Sequence, residues 1–245
     1  MRFYVSPDSI FPEKNLIKIK DKAELHHIRD VMRLQKGAII NVFDGKCREF
    51  LGAIEEINKD LIIIKILDIN SVVGEGFKPS PAITLYQAIP KKSKMDLIVE
   101  KTIELGVDHI VPIITERTVP DARDFTKKAE RWRRIGMASS KQCGRRRLAA
   151  ISDVMDFDSA LIDSRQNDLV IFASLDKGSM PLKDILRGSA PKTIAVFIGP
   201  EGDFSPREIS MAKETGCSLC SLGSLVLKSE TAAIYMLSCL SYESQ

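Results

Sequence analysis

The chain has 245 residues, of which 44% are hydrophobic and 28% are charged, and its formal net charge is +3. This balance supplies ample material for a core and excludes a disordered chain, and no stretch approaches the roughly 20 apolar residues of a membrane-spanning helix. The five cysteines are odd in number and scattered, which argues against a disulfide framework. The first residues lack the apolar run of a secretory signal, so we expect a cytoplasmic protein. The length predicts one large domain or two modest ones.

The N-terminal part predicts a β-rich unit. Strands are expected at 38–45, 50–57 and 61–69. One helix is expected near 22–32, because Leu25, Ile28 and Val31 share one side of it. Short strands without alternating helices are typical of a small β-barrel, which we assign to residues 1–73.

Two glycines and two prolines within residues 74–81 mark a linker. After it, strands alternate with helices, which predicts a parallel sheet covered by helices over 82–245. The predicted strands lie at 83–89, 110–114, 169–173, 193–198 and 218–222. The predicted helices run from a cap at Ser93 to Gly106, over 127–142, from a capping box at Ser205 to Gly216, and over 231–241.

Residues 123–147 form a basic stripe. The window holds only two acids, Asp124 and Glu130, among ten cations: Arg123, Lys127, Lys128, Arg131, Arg133, Arg134, Lys141, Arg145, Arg146 and Arg147. Such a stripe is typical either of a phosphate-binding surface or of a solvated helix face, and charge alone favours neither. Trp132 stands at helical spacing with Ile135, so we assign it to the core rather than to base stacking.

Three strand ends carry turn residues that suit a ligand site. They are Ala173-Ser174, Gly199 to Asp203, and Leu222-Gly223-Ser224. Ligands of open parallel sheets bind at the carboxyl ends of the strands, where glycine lets backbone approach closely. Neither a P-loop nor an early G-x-G-x-x-G loop is present, and each glycine turn alone is typical of a plain connection. The Cys217/Cys220 pair lies in an apolar run, so we expect packing there and no metal site.

Several short motifs follow one another in a fixed order. Near the C-terminus stand Gly199-Pro200-Glu201-Gly202, Phe204-Ser205, Leu222-Gly223, Leu227 and Glu230-Thr231-Ala232. Earlier in the chain stand His26-His27-Ile28-Arg29, Val31-Met32-Arg33, Lys94-Met95-Asp96, Glu100-Lys101, Glu104-Leu105-Gly106-Val107, Ile110, Pro112, Glu116-Arg117 and Gln142-Cys143 with Arg145. Together they resemble the SPOUT-class RsmE family, the 16S ribosomal RNA uridine-N3 methyltransferases. The family usually has glycine at position 203 and arginine at 225 and 228, where this chain has Asp203, Leu225 and Lys228.

The resemblance implies the fold, the cofactor and the partners. It implies an α/β fold with an N-terminal PUA-like β-barrel and a C-terminal SPOUT domain with a parallel sheet and a trefoil knot. It also implies a homodimer that acts on 16S ribosomal RNA, in the small ribosomal subunit, with S-adenosylmethionine as methyl donor. The residues that it assigns to the cofactor are Ala173, Ile198, Gly199, Pro200, Glu201, Gly202, Leu222, Gly223, Leu227, Thr231 and Ala232.

Methylation at N3 requires loss of a proton, because protonated uridine N3 is a poor nucleophile. We assign Glu230 as the candidate base and Lys228 as the cation that stabilises the anion; Glu230 fits equally well as an acid at a helix start. The candidate RNA contacts are His27, Arg29, Arg33, Arg117, Arg131, Arg134, Gln142 and Arg145. The alternatives are a related knotted methyltransferase for another target such as a ribose 2′-hydroxyl, a non-catalytic RNA-binding assembly factor, and a metabolic α/β enzyme.

Overall fold

The computed structural model describes residues 2–70, 81–118, 125–145, 147–188 and 190–244. Contacts divide the chain into two compact units: Met1–Phe77 with Ser140–Leu148, and Lys78–Ser139 with Ala149–Gln245. Most of the linker predicted at 74–81 lies outside the described residues, so the predicted domain boundaries stay a prediction. Within the described ranges, no helix combines the length and the apolar character that crossing a bilayer requires.

The first unit contains a six-stranded sheet. Its strands are β1 (Arg2–Tyr4), β2 (Ile10–Phe11), β3 (Leu16–Ile19), β4 (Ile39–Phe43), β5 (Glu49–Ile57) and β6 (Ile62–Asn70), in the order β1-β4-β5-β6-β3-β2. Only the β1/β4 pairing is parallel among these neighbours. Alternate residues of β5 are buried, as expected for a strand with one face on a core. Gly52 of β5 lies so close to Ile64 of β6 that a side chain there would clash.

The helix predicted near 22–32 is present but changes its winding. Helix α1 (Lys22–His26) begins at Asp21, whose side chain accepts the backbone N–H groups of Ala23 and Glu24. A π-helical turn, His27–Val31, follows it, with the Met32 N–H bonded to the His27 carbonyl. Wider turns of this kind are inserted into helices without a clear sequence signal, which explains why the pattern predicts one plain helix.

The second unit contains a parallel sheet. Its strands are β7 (Ala82–Ala88), β8 (His109–Ile114), β9 (Ala150–Ile151), β10 (Met155–Asp156), β11 (Leu169–Ala173), β12 (Met180–Pro181), β13 (Thr193–Ile198) and β14 (Ser218–Ser221). The order is β10-β8-β7-β13-β11-β14-β12, with β9 beside β8, and every pairing is parallel. The mixed α/β class and the parallel sheet are therefore confirmed, while the trefoil knot stays a prediction.

Six further helices are described, and they belong to the second unit except for the last three residues of α3. They are α2 (Lys94–Glu104), α3 (Phe125–Gln142), α4 (Phe157–Ser164), α5 (Leu182–Leu186), α6 (Pro206–Glu214) and α7 (Ser229–Glu243). The predicted cap at Ser93 is wrong, because Ser93 has φ −90° and ψ 16° and its side chain caps nothing. The predicted capping box at Ser205 is confirmed: Ser205 and Glu208 bond each other's backbone, with Pro206 at the first helical position.

Both faces of the parallel sheet are buried. One face carries an aromatic cluster in which the Tyr86 and Phe197 rings stack with their centroids 4.6 Å apart. The other face packs against α2, α3 and α7, and Trp132 is only 3% exposed in that core. The assignment of Trp132 to the core is confirmed, and Cys220 is buried in the same core. Strand β13 is buried along five of its six residues, as expected for a central parallel strand.

Candidate functional site

An open cavity with about 560 Å³ of empty space lies at the carboxyl ends of β11, β13 and β14. All three predicted strand ends and the first turn of α7 contribute to its wall. The lining residues are Ala173, Ser174, Leu175, Ile198, Gly199, Pro200, Glu201, Asp203, Cys220, Leu222, Gly223, Leu225, Val226, Leu227, Ser229 and Ala232. We call this the strand-end cavity, and it lies at the edge where open parallel sheets bind their ligands.

Nine of the eleven residues predicted to hold a cofactor line the strand-end cavity, and two do not. They are Ala173, Ile198, Gly199, Pro200, Glu201, Leu222, Gly223, Leu227 and Ala232. Thr231 is exposed on α7, and Gly202 follows Glu201 in the loop after β13 without lining the cavity. The segments named from the sequence therefore meet at one cavity, and their contact with a cofactor stays a prediction. The predicted cofactor residues leave out Ser174, Leu175, Asp203, Cys220, Leu225, Val226 and Ser229, which line the cavity as well.

A buried chain of hydrogen bonds fixes the loop after β13 to α7. The Ser229 hydroxyl donates to the Gly199 carbonyl at 2.7 Å, and the Gln87 amide donates to the Ser229 hydroxyl at 2.9 Å. Gln87 and Ser229 are both buried, so each bond replaces one that water would otherwise make. Sequence reasoning missed both residues, although a glutamine inside the apolar strand β7 indicates a buried side chain that needs a hydrogen-bond partner.

Asp203 connects two parts of the cavity wall. Its carboxylate accepts the backbone N–H of Leu175, just after β11, at 3.1 Å. The backbone of Asp203 has φ +61°, in the left-handed region that glycine adopts readily and other residues adopt at a cost in conformational energy. The position therefore holds an acid at a conformational cost, and the acid lies in the wall of the cavity.

Lys94, at the start of α2, bridges two carboxylates. Its ammonium lies 3.2 Å from Glu201 and 3.2 Å from Glu230. These bonds raise the pKa of Lys94, with Glu230 contributing most and Glu201 next. Burial alone would raise the pKa of Glu201, but its own backbone N–H, Lys94 and the backbone N–H of Lys91 outweigh burial and lower it. Sequence reasoning did not assign Lys94 a role.

The two predicted catalytic residues stand at the start of α7. Glu230 occupies the first turn, with its side chain 16% exposed and paired with Lys94. Lys228 immediately precedes the helix and is exposed, and its backbone carbonyl accepts the Ala232 N–H at 2.8 Å. Neither residue belongs to the lining of the strand-end cavity.

Five of the predicted RNA contacts belong to the first unit. His27 packs edge-on against Phe3, with ring centroids 5.5 Å apart, and Arg33 is exposed with φ +51°. Arg29 donates to Asp30 at 2.7 Å and to the Lys59 carbonyl at 3.1 Å. The other two are Gln142, which is exposed at the end of α3, and Arg145, which donates to the Arg147 carbonyl at 3.2 Å.

Three predicted RNA contacts belong to the second unit. Arg117 donates to the carbonyls of Gly202 at 2.6 Å and Phe204 at 3.2 Å, so it braces the loop after β13. Arg131 pairs with Asp96 at 2.6 Å and remains 62% exposed, while Arg134 is exposed on α3.

Two members of the basic stripe, Arg123 and Arg146, lie outside the described residues. Two more make ion pairs within the described chain: Arg133 with Asp153 at 2.7 Å, and Lys141 with the buried Glu24.

The chain is similar over nearly its whole length to known methyltransferases. The RNA methyltransferase domain family matches residues 78–241, and the RNA methyltransferase PUA domain family matches residues 19–67. The ribosomal RNA small subunit methyltransferase E of Bacillus subtilis (strain 168) is 27% identical over 234 residues, which is 91% of this chain and 88% of the relative. The Aquifex aeolicus (strain VF5) protein of the same name is 36% identical over 163 residues, 66% of this chain and 69% of the relative.

Solved structures agree with this. A methyltransferase from Legionella pneumophila with its cofactor SAM bound superposes with a TM-score of 0.85 at 31% identity, covering 99% of this chain and 97% of that one. The ribosomal RNA small subunit methyltransferase E of Neisseria gonorrhoeae, bound to S-adenosyl methionine, gives a TM-score of 0.84 at 25% identity with the same coverage.

Proposed function

Since the chain belongs to the RNA methyltransferase family, with a PUA domain at its N-terminal side, we propose that it methylates N3 of a specific uridine in 16S ribosomal RNA. The methyl donor is S-adenosylmethionine. The observation that carries the proposal is the strand-end cavity, in which three strand ends and α7 form one wall around an open space.

The cavity suits S-adenosylmethionine in shape and charge. Apolar side chains such as Ile198, Leu222 and Leu227 offer surfaces for the adenine. Gly223 has φ +121° and open space where a side chain would stand, so backbone there can approach a ligand closely. The described lining holds two carboxylates and no cation; Lys94 pairs with Glu201, so Asp203 is the carboxylate that favours a ligand with a sulfonium and an ammonium group. The eleven residues predicted from the sequence remain our proposed cofactor contacts, with Gly202 and Thr231 outside the cavity wall.

The protein's own residues prepare the acceptor. When bound, the cofactor would supply a methyl group already activated by its sulfonium, so the protein mainly orients the target and manages its proton. Glu230 accepts the N3 proton, and the Lys94 ammonium beside it keeps its carboxylate oriented. Lys228 stabilises the negative charge that develops on the uridine. The target nucleotide must be unpaired, because N3 lies on the Watson–Crick edge.

The partners follow from the substrate. We infer that RNA contacts His27, Arg29, Arg33, Arg117, Arg131, Arg134, Gln142 and Arg145. The substrate is the small ribosomal subunit, which places the protein in the cytoplasm. The active form is a homodimer.

Methyl transfer from labelled S-adenosylmethionine to purified small subunits that lack the modification tests the proposal. We expect one methyl group per subunit, located on N3 of a uridine by mass spectrometry of nuclease digests. A label on a ribose 2′-hydroxyl would replace the proposed target with the related one. Binding of the cofactor without any transfer would favour the non-catalytic assembly factor.

A further inference from the structure

A second cavity, with about 820 Å³ of empty space, opens at the start of α2 and along α3. Its apolar lining includes Pro90, Met95, Phe125 and Trp132. Pro90, Met95 and Trp132 are buried, whereas Phe125 is half-buried and offers part of its ring to the cavity. A partly exposed aromatic ring suits stacking with a planar ring.

The rim of the same cavity is cationic. Among the described lining residues, Lys91, Lys92, Lys128 and Arg131 contribute to it, against one carboxylate, Asp96. Asp96 pairs with Arg131 at 2.6 Å, and the Lys128 ammonium lies 5.5 Å from the centre of the Phe125 ring. An exposed aromatic ring beside several cations is a combination with which proteins hold single-stranded nucleic acid, since bases stack on the ring and phosphates contact the cations.

We call this second cavity the basic cavity, and it lies next to the strand-end cavity. The Lys91 backbone N–H donates to the Glu201 carboxylate at 3.1 Å, and Glu201 lines the strand-end cavity. Among the described lining residues, the strand-end cavity has two carboxylates, one of them paired with Lys94, and no cation, whereas the basic cavity has four cations and one carboxylate. This separation matches a positively charged methyl donor on one side and a polyanionic acceptor on the other.

Lys92 gives a second, independent sign of a role. Its backbone has φ +60°, a conformation that disfavours residues other than glycine, and its side chain is exposed. A strained lysine without a burial role stands directly on the rim of the cavity. Strain of this kind is retained at functional positions when the side chain is needed there.

We propose that the basic cavity binds one nucleotide of the RNA substrate. The base packs against the Phe125 ring, and the adjoining phosphates contact Lys91, Lys92 and Arg131. The proposal rests on the methyltransferase function proposed above, because it assigns the acceptor strand to the space beside the donor. None of the sequence motifs had assigned a role to Lys91, Lys92 or Phe125.

Fluorescence anisotropy with a labelled 12-nucleotide single-stranded oligouridine tests the proposal. Lys92→Gly is the central variant, because it removes the charge and relieves the backbone strain, so unfolding cannot explain a loss of binding. A lost phosphate contact lowers affinity about fivefold at about 0.1 M salt and reduces the salt slope by about 0.7. Lys91→Ala combined with Lys92→Gly should double both effects on the logarithmic scale. Phe125→Leu should weaken binding with the salt slope unchanged, since stacking releases no counterions.

Lys192→Ala is the matched control, because it removes one exposed lysine just before β13, at the end of the strand away from the strand-end cavity. The control should bind the RNA like the wild type. Affinities equal to that of the wild type in all three cavity variants, with unchanged salt slopes in the two that remove lysines, would overturn the proposal. Methylation of small subunits by the wild type is measured separately, so a failure of the proposed function is distinguished from a failure of the basic cavity.

Discussion

For binding of the methyl donor, we expect the charge of Asp203 to matter more than the shape of its side chain. It lies in the wall of the strand-end cavity, where no described cation neutralises it within that lining. Its carboxylate bonds the Leu175 N–H, an interaction that an amide oxygen can also make. Replacement by asparagine therefore removes the charge and keeps the shape and the bond.

We expect Asp203→Asn to weaken binding of S-adenosylmethionine by about two- to fivefold, as for a partly exposed ion pair. Binding of S-adenosylhomocysteine, which lacks the sulfonium charge, should change little. Calorimetric titration of both ligands against both proteins measures the difference. An equal loss for both ligands would show that Asp203 acts on the loop structure rather than on the charge of the donor.

Glu230 has two roles open to it, as proton acceptor and as an acid in the first turn of a helix. We expect Glu230→Gln to slow single-turnover methylation by about 100-fold or more, since general bases contribute on that scale. Cofactor affinity should be retained. Glu214→Gln, an exposed carboxylate on α6, is the control and should react at the wild-type rate. A Glu230→Gln protein with an unchanged single-turnover rate would leave Glu230 only the helix role.

The position of individual residues in the strand-end cavity was predictable from the sequence only where the residue belongs to a recognisable motif. The glycines and leucines of the strand-end cavity belong to recognisable motifs, and nine of eleven predicted cofactor residues line it. Lys94 and Gln87 were missed because their partners, Glu201 and Ser229, are more than a hundred residues away. Long-range pairing of polar groups has no local pattern.

At the scale of the element, α6 is fixed by its N-terminus. Glu208 is fully buried and accepts two backbone N–H groups, from Ser205 at 2.8 Å and from Glu116 at 2.9 Å. Ser205 in turn accepts the Glu208 N–H at 3.2 Å. One capping box thereby connects the helix to the loop after β8.

We expect Ser205→Ala to lower the free energy of unfolding by about 1 kcal/mol, the usual cost of a lost cap. Glu208→Gln should cost more, about 2 kcal/mol, because one of the two backbone donors would then face an NH2 group in a buried site. Urea denaturation measures both values. A Glu208→Gln protein as stable as the wild type would contradict the assigned bonding.

Elements were predictable where periodicity or capping is strong. Strands β11 and β13 match the predicted ranges, and α6 begins at the predicted box. The two-residue strands β2, β9, β10 and β12 were missed because two residues show no period. Strands β1 and β3, of three and four residues, were missed for the same reason. The π-helical turn after α1 shows the same limit, because it is only five residues long.

At the scale of the whole molecule, we expect the free energy of unfolding to fall in two separate pH ranges as the solution is acidified. Burial lowers the pKa of His109, so the unfolded chain binds a proton first and stability begins to fall as the pH drops through its ordinary value of about 6.5. Backbone N–H groups of Lys192 and Gly178 lower the pKa of Asp168 and Asp176, respectively. Those carboxylates stabilise the fold above about pH 4 and lose that contribution as the pH falls further.

Chemical denaturation at about pH 7.5, 5.5 and 3.5 measures the two stages. The loss between the first two values should be small and should disappear in His109→Gln, whose amide keeps a partner for Ser152. The loss below pH 4 should be larger, since several carboxylates contribute. An undiminished upper stage in His109→Gln would contradict the role of that histidine.

The overall organisation followed from one rule and one resemblance. Because carboxyl ends of parallel strands share an edge, the turns after β11, β13 and β14 were expected to meet, and they do. The family was recognised from ordered motifs and is confirmed by the matches over residues 19–67 and 78–241. The grouping of Ser140–Leu148 with the first unit was not anticipated, since contact between distant segments leaves no mark in local sequence.

Calorimetric titration with S-adenosylmethionine tests most directly whether the strand-end cavity holds the methyl donor. We expect saturable binding of one molecule per chain, lost in Ala232→Phe, which fills the cavity, and retained in Ala190→Phe, an exposed site before β13. Absence of binding by the wild type, or wild-type affinity in a folded Ala232→Phe protein, would contradict this expectation.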